Sequence, residues 1–257
     1  METRSLGPKA PPLRVAAVIP TYNNAATIRP VVLRIREHLD QVLVVDDGSG
    51  PSARQACADL ALEGLSRVVH RKENGGKGAA VKTGLTELAR LGFTHAFQVD
   101  ADGQHTIEDM PAFIDAAQRH PGALILGSPR YDETAPAARL IGRKLTRFWT
   151  HVETFGRIVE DPMCGFRVYP IQAALRAAAW GNAMDFDPEI VVNMAWHGTP
   201  ILNLPTQVRY LSKEEGGVSH FRLWRDNALI SWMHTRLMFS LFFRLLRFKP
   251  LPRRLTV

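Results

Sequence analysis

Cysteine is almost missing from this chain: Cys57 and Cys164 are the two among 257 residues. Two thiols build neither a disulfide framework nor a cysteine metal cluster, which excludes small stapled secreted domains and fits a reducing, cytoplasmic setting. The first twelve residues hold Gly7, Pro8, Pro11 and Pro12 but no apolar core, so 1–12 reads as a disordered lead-in, not a signal peptide. No internal repeat stands out. No Gly-x-Gly-x-x-Gly turn follows the first apolar run; Thr21-Tyr22-Asn23-Asn24 stands there, which argues against a dinucleotide-binding oxidoreductase. Asn74-Gly75-Gly76-Lys77-Gly78 resembles a phosphate loop, yet Gly78 replaces the Ser or Thr that a Walker loop needs after its lysine. Acids are nearly absent after Phe221. That segment holds Arg222, Arg225, Arg236, Arg244, Arg247, Lys249, Arg253 and Arg254 against Asp226 alone, and so carries the whole net charge of +7. The same segment is the most apolar one and has no recognisable nucleic-acid module, so no nucleic-acid partner is expected.

What is present is a regular alternation. Arg14–Pro20, Gln41–Val45, Arg67–His70, Phe93–Val99 and Ala123–Gly127 are short apolar runs without polar alternation, which predicts buried strands. Helical spacing separates them over Ala25–Leu39, Ser52–Leu62, Gly78–Leu91 and about Ile107–Arg119. After Gly127 the pattern loosens. Helices are expected over Arg139–Phe155, Pro170–Ala179 and from Asp185 to about His197, with short strands at Val168-Tyr169, Ile201–Leu204 and Gln207–Leu211. The fold class is α/β: a mostly parallel central sheet covered by helices on both faces. At 46% hydrophobic content the chain can fill one large core, expected over 13–215, followed by a mobile loop and a basic amphipathic helix over 216–257.

In such sheets ligands bind beyond the carboxyl ends of the strands. Three ends carry polar clusters: Pro20-Thr21-Tyr22-Asn23-Asn24, Asp46-Asp47-Gly48-Ser49 and Asp100-Ala101-Asp102. In an extended segment, Asp100 and Asp102 at i, i+2 share one face. A divalent cation shared with phosphates would relieve their repulsion. Taken alone, the triplet also reads as an Asp-rich turn pivoting on Gly103. Clusters at three ends point to one nucleotide-sized crevice.

Six elements, in order, carry a family resemblance: Val18-Ile19-Pro20-Thr21-Tyr22-Asn23, Val44-Val45-Asp46-Asp47-Gly48-Ser49, Asn74-Gly75-Gly76-Lys77-Gly78, Asp100-Ala101-Asp102-Gly103-Gln104-His105, Gly127-Ser128-Pro129-Arg130-Tyr131 and Cys164-Gly165-Phe166-Arg167-Tyr169. Over roughly Arg14 to Ser212 the chain resembles a family 2 glycosyltransferase with the GT-A fold, closest to the branch of dolichyl- and polyprenyl-phosphate mannose and glucose synthases. The resemblance implies an inverting, metal-dependent transfer of a hexose from a UDP- or GDP-sugar. It implies that Pro20, Thr21, Tyr22, Asn23, Asp46 and Asp47 hold the nucleoside, and that Asp100 and Ala101 lie near ribose and sugar. Asp102 would bind Mg²⁺ or Mn²⁺ together with Asp100 and, as a further ligand, His105. Lys77 would meet the diphosphate or a base-side carboxylate.

The acceptor expected from the resemblance is a membrane lipid, polyprenyl phosphate first. A phosphate nucleophile is already ionised near neutral pH and needs cations rather than a base; Arg130, Arg139, Arg143 and Arg167 are the candidates. A hydroxyl on another lipid or a pigment-like acceptor would need a carboxylate base, and Asp187 and Glu189 stand with Asp161 and Asp185 as candidates; Asp187 or Glu189 could instead orient Arg167 or cap a helix. A non-catalytic membrane-bound scaffold is the reading from a different class, and the intact Asp100/Asp102 pair speaks against it. Leu229–Phe248 places Ile230, Met233, Leu237, Met238, Leu241, Phe242, Leu245 and Phe248 on one stripe broken by Arg236, Arg244 and Arg247. Those charges disfavour a spanning helix and favour an interfacial one on an anionic cytoplasmic leaflet. Packing on the protein body or a homodimer contact is the other reading. Gly216–Phe221 reads as a mobile loop able to close over the site.

Overall fold

In the computed structural model, residues 13–131, 137–156, 158–209 and 222–246 are described. Seven strands form one sheet in the order β3-β2-β1-β4-β6-β5-β7. Strands β1 (Val15–Thr21), β2 (Val42–Asp46), β3 (Arg67–His70) and β4 (His95–Gln98) run parallel, linked by helices α1 (Ile28–Arg36), α2 (Pro51–Leu62) and α3 (Lys77–Arg90). Strand β6 (Arg167–Pro170) lies antiparallel between β4 and β5 (Leu124–Tyr131). Strand β7 (Ile201–Val208) pairs parallel with β5 at the edge. Helices α4 (Met110–Arg119), α5 (Ala137–Glu153), α6 (Ile171–Ala177), α7 (Phe186–Trp196) and α8 (Leu223–Leu246) complete the chain.

Successive strand residues point to opposite faces, and both faces are dry. Val18, Leu43, Val45, Leu124, Leu126 and Tyr169 pack with residues of α3, α6 and α7. Ala17, Ile19, Val42, Val44, Phe97, Ile125 and Val168 pack with residues of α1, α2 and α4. Burial on both sides is why these strands read as continuous apolar runs. Phe166, just before β6, sits edge-on to Phe97 and Phe113, with ring centroids 4.8 and 4.9 Å away.

Three local expectations change. The two short strands at Ile201–Leu204 and Gln207–Leu211 are one strand, Ile201–Val208, running through Pro205. Proline is tolerated there because β7 lies on the edge of the sheet. Strand β5 likewise continues past Gly127 through Pro129 to Tyr131. The aspartates Asp100 and Asp102 are not on an extended strand: β4 stops at Gln98, and the triplet turns around Gly103, whose φ is +75°.

Helix α8 packs on the body. Ile230, Met233 and Leu237 form a cluster with Val192, and Leu241 is buried too. Much of the stripe expected to face lipid is therefore core. Phe242 of that stripe is exposed, as are Trp232, Phe239 and Phe243 on α8 and Ile141, Leu145 and Phe148 on neighbouring α5, each more than half. Among the described residues no helix is long and apolar enough to cross a membrane. The expectations for 1–12, Gly216–Phe221 and the chain after Leu246 lie outside the described residues.

Candidate functional site

The ends of β1, β2 and β4, the loop before α3 and the loop before β6 surround one cavity of about 820 Å³. Pro20, Thr21, Tyr22, Asn24, Asp47 and Lys77 line it, with Asp100, Ala101, Asp102 and His105. The lining also includes Arg143 and Thr146 on α5, Met163, Asp187 on α7, and Arg222, Arg225, Asp226, Asn227 and Ile230 at the start of α8.

Backbone geometry fixes the strand-end half. Asp47 receives the amides of Gly75 and Gly76 at 3.1 and 2.7 Å and pairs with Arg71 at 2.9 Å. It thereby ties the Gly-rich loop to the end of β2. Burial raises its carboxyl above the ordinary value despite those bonds. Asn24 accepts from the Tyr22 amide and the Thr21 hydroxyl, and Asn23 accepts from Gly50 while donating its own amide to Ser49. Asn23 therefore braces the first loop against the second rather than lining the cavity.

Asp46 lies beneath this surface. It is fully buried, accepts from the Ser49 amide at 3.0 Å and lies 2.7 Å from His70 Nδ1. Burial alone would raise its carboxyl, but the Ser49 and His70 bonds outweigh burial and hold it low. The structure separates the Asp46-Asp47 pair into a buried brace and a cavity residue.

Lys77 opens α3, so the helix fixes its reach. Its ammonium lies 2.8 and 2.9 Å from the two oxygens of Asp100 and 2.8 Å from Asp187. The carboxylates it meets are thus Asp100, just after β4, and Asp187 of α7. Burial opposes ionisation at Lys77, but Asp100 and Asp187 outweigh it and keep the ammonium firmly protonated. Asp100 is likewise held far below the carboxylate range, because Lys77 and His105 overcome its burial. Asp102 goes the other way, raised by burial and by the negative charge of Asp100. Gly165 makes room for this arrangement: any side chain there would collide with the Asp100 carboxylate.

The donor chemistry at Asp100, Asp102 and His105 fits a hard divalent ion. His105 Nε2 is 3.6 Å from Asp100, and its buried Nδ1 has no hydrogen-bond partner. Among the described residues no three His, Cys, Asp or Glu side chains converge into a protein-only cage. That combination suits an ion completed by phosphate oxygens and water, the usual arrangement for Mg²⁺.

Arg167, expected at a phosphate, does not line the cavity. It is fully buried and donates to the carbonyls of Cys164, Pro162 and Asp187. It anchors the loop before β6 to the first turn of α7. Glu189 is buried as well, accepting from the Gly181 amide at 2.7 Å and facing Arg236 of α8 at 3.3 Å. Of the two acids in the first turn of that helix, Asp187 reaches the cavity and Glu189 ties α7 to α8. Arg143 lines the cavity and pairs with Asp161 at 2.7 Å. Arg130 is exposed at the end of β5 and outside the lining, where its neighbour Pro129 lies. The Arg139 side chain is outside the described residues.

Sequence reasoning missed Arg222, Arg225, Asp226 and Asn227. The clustering of charge at the first turn of α8 was the available signal, but the long apolar stripe after it drew that segment toward the membrane.

The model of the family described as Glycosyl transferase family 2 matches residues 16–178. A polyprenol monophosphomannose synthase of Mycolicibacterium smegmatis is 34% identical over 169 residues, covering 62% of each chain. An undecaprenyl-phosphate mannosyltransferase of Micrococcus luteus is 29% identical, over 68% of this chain and 71% of its own. The matched segment thus spans under two thirds of the first relative. The crystal structure of glucosyl-3-phosphoglycerate synthase from Mycobacterium tuberculosis, in complex with Mn²⁺, UDP and phosphoglyceric acid, superposes with a TM-score of 0.67 at 17% identity. It covers 89% of this chain and 78% of its own, a likeness of fold.

Proposed function

The chain belongs to glycosyl transferase family 2, and from that premise we propose that it moves a hexose from a UDP- or GDP-sugar to a polyprenyl phosphate at a membrane surface. The observation that carries this reading is the make-up of the cavity lining. Polar strand ends, Asp100, Asp102 and Lys77 line it together with Arg143, Arg222 and Arg225. The first group suits a nucleoside diphosphate with its ion; the three arginines suit an anionic acceptor.

Asp100, Asp102 and His105 would hold Mg²⁺ or Mn²⁺, which as a Lewis acid stabilises the departing diphosphate. The protein's own part is positional. Asp47 and the loop it holds fix the nucleotide side. Arg167 fixes the loop before β6 and the first turn of α7, so that Asp187 is held at the cavity. A phosphate acceptor needs no proton removed, whereas a hydroxyl acceptor needs a free base. Asp187, the cavity carboxylate best placed for that, is already engaged by Lys77, which favours the phosphate acceptor. The relatives named for polyprenol and undecaprenyl phosphate support the same choice.

Two experiments test the reading. Calorimetric titration with UDP and GDP, with and without Mn²⁺, is expected to show metal-dependent binding of one nucleotide, lost in Asp102→Asn. Transfer of labelled sugar is expected with polyprenyl phosphate and not with the corresponding polyprenol. Transfer to the alcohol alone would move the reading to a hydroxyl acceptor, and no nucleotide binding by folded protein would remove it.

A further inference from the structure

The cavity already contains a cation of its own. Lys77 stands between Asp100 and Asp187 within 2.9 Å of both, while Asp102 accepts from the Gln104 amide at 3.1 Å and the buried Nδ1 of His105 has no hydrogen-bond partner. The ammonium is largely buried, at 14% side-chain exposure, and its backbone is fixed as the first residue of a helix. A divalent ion approaching Asp100 would therefore meet a like charge already seated on one of its ligands. A diphosphate changes that balance. Its oxygens attract the ammonium, release Asp100, and provide the remaining ligands that the protein does not assemble by itself.

We propose that Lys77 is a resident counter-cation that keeps a divalent ion from binding without nucleotide and makes ion binding conditional on the nucleotide diphosphate. The inference rests on the nucleotide-sugar reading above. No bond is made or broken: Lys77 exchanges a carboxylate partner for a phosphate partner, and the divalent ion takes the place it leaves. Donor and ion would load together, and the ion alone would remain in solution.

The test uses the full chain and the paramagnetic resonance signal of free Mn²⁺, with and without UDP or GDP. The wild type is expected to leave Mn²⁺ in solution when alone and to take it up with one nucleotide. Lys77→Met and Lys77→Gln, the second keeping a hydrogen-bond donor without the charge, are expected to bind Mn²⁺ alone about tenfold more tightly or better. The added effect of nucleotide should shrink correspondingly. Folded variants that bind Mn²⁺ no better than wild type would overturn the inference, as would tight uptake by wild type without nucleotide. If the variants unfold in chelator, Mn²⁺ alone is expected to raise their melting temperature toward that of wild type, and failure to do so also overturns it. Wild type that takes up no Mn²⁺ with either nucleotide would instead strike the nucleotide-sugar reading, so the two failures are distinct.

Discussion

Arg167 donates to three backbone carbonyls, on Cys164, Pro162 and Asp187, from a site without solvent. A planar fork of donors can satisfy several acceptors at once, and an ammonium cannot. Arg167→Lys is therefore expected to show most of the destabilisation of Arg167→Met, which should cost about 3–5 kcal/mol by stranding buried acceptors and the Asp187 charge. Urea unfolding of both variants measures this, and an unchanged midpoint would contradict the anchoring role. Asp46 makes a pH prediction. Its folded carboxyl is held below the ordinary value by Ser49 and His70. That stabilisation is thus complete above the unfolded value of about 3.9 and lost as pH falls through the folded one. Asp46→Asn should flatten the acid limb of stability below about pH 4 relative to wild type, as read from melting temperatures across pH. The sequence displayed Asp46 and Asp47 as twins. Only packing distinguishes them, because the residue after a strand end faces the cavity while the last strand residue faces the core.

At the level of elements, the aromatic group of Phe97, Phe113 and Phe166 joins β4, α4 and the loop before β6. Phe113→Ala should cost about 3–5 kcal/mol. It should also weaken nucleotide binding, because Phe166 adjoins Gly165 and the His105 ring lies 5.3 Å from that of Phe166. Stability loss with fully preserved nucleotide affinity would show that the group supports only the core. Strands and helices around β1 to β4 were legible because burial on both faces gives uninterrupted apolar runs between helical repeats. The edge was not: Pro205 reads as a break, and only a partner on a single side makes it acceptable in β7. Helix α8 was legible as amphipathic, but its periodicity does not say what lies against it. Met233 and Leu237 met Val192 instead of lipid.

Over the whole molecule, the six motifs each supply residues to the cavity lining, since strand ends in a parallel sheet converge by topology. The half contributed by α8 was hidden, because it joins the site from about a hundred residues downstream of β5 and no local pattern encodes that return. Phe148 of α5 and Trp232, Phe239, Phe242 and Phe243 of α8 expose aromatic rings, and exposed apolar surface of that kind is where lipid or a partner binds. Phe239→Ser with Phe243→Ser is expected to reduce sedimentation with anionic vesicles severalfold while leaving UDP or GDP affinity unchanged; equal sedimentation would dissociate that face from lipid. The reversed strand β6 has a different consequence, one of chronology. During synthesis β1 to β4 can pair as each emerges, but β5 has no partner until β6 and β7 have been made. Until then β4 offers an open edge to any passing strand, the state in which a nascent chain is most prone to aggregate. The loop that holds Gly165 against Asp100 leads directly into the strand that closes this edge. Closure of the β4 edge and the seating of Gly165 against Asp100 are therefore one event, and a chain released before Arg167 would have neither.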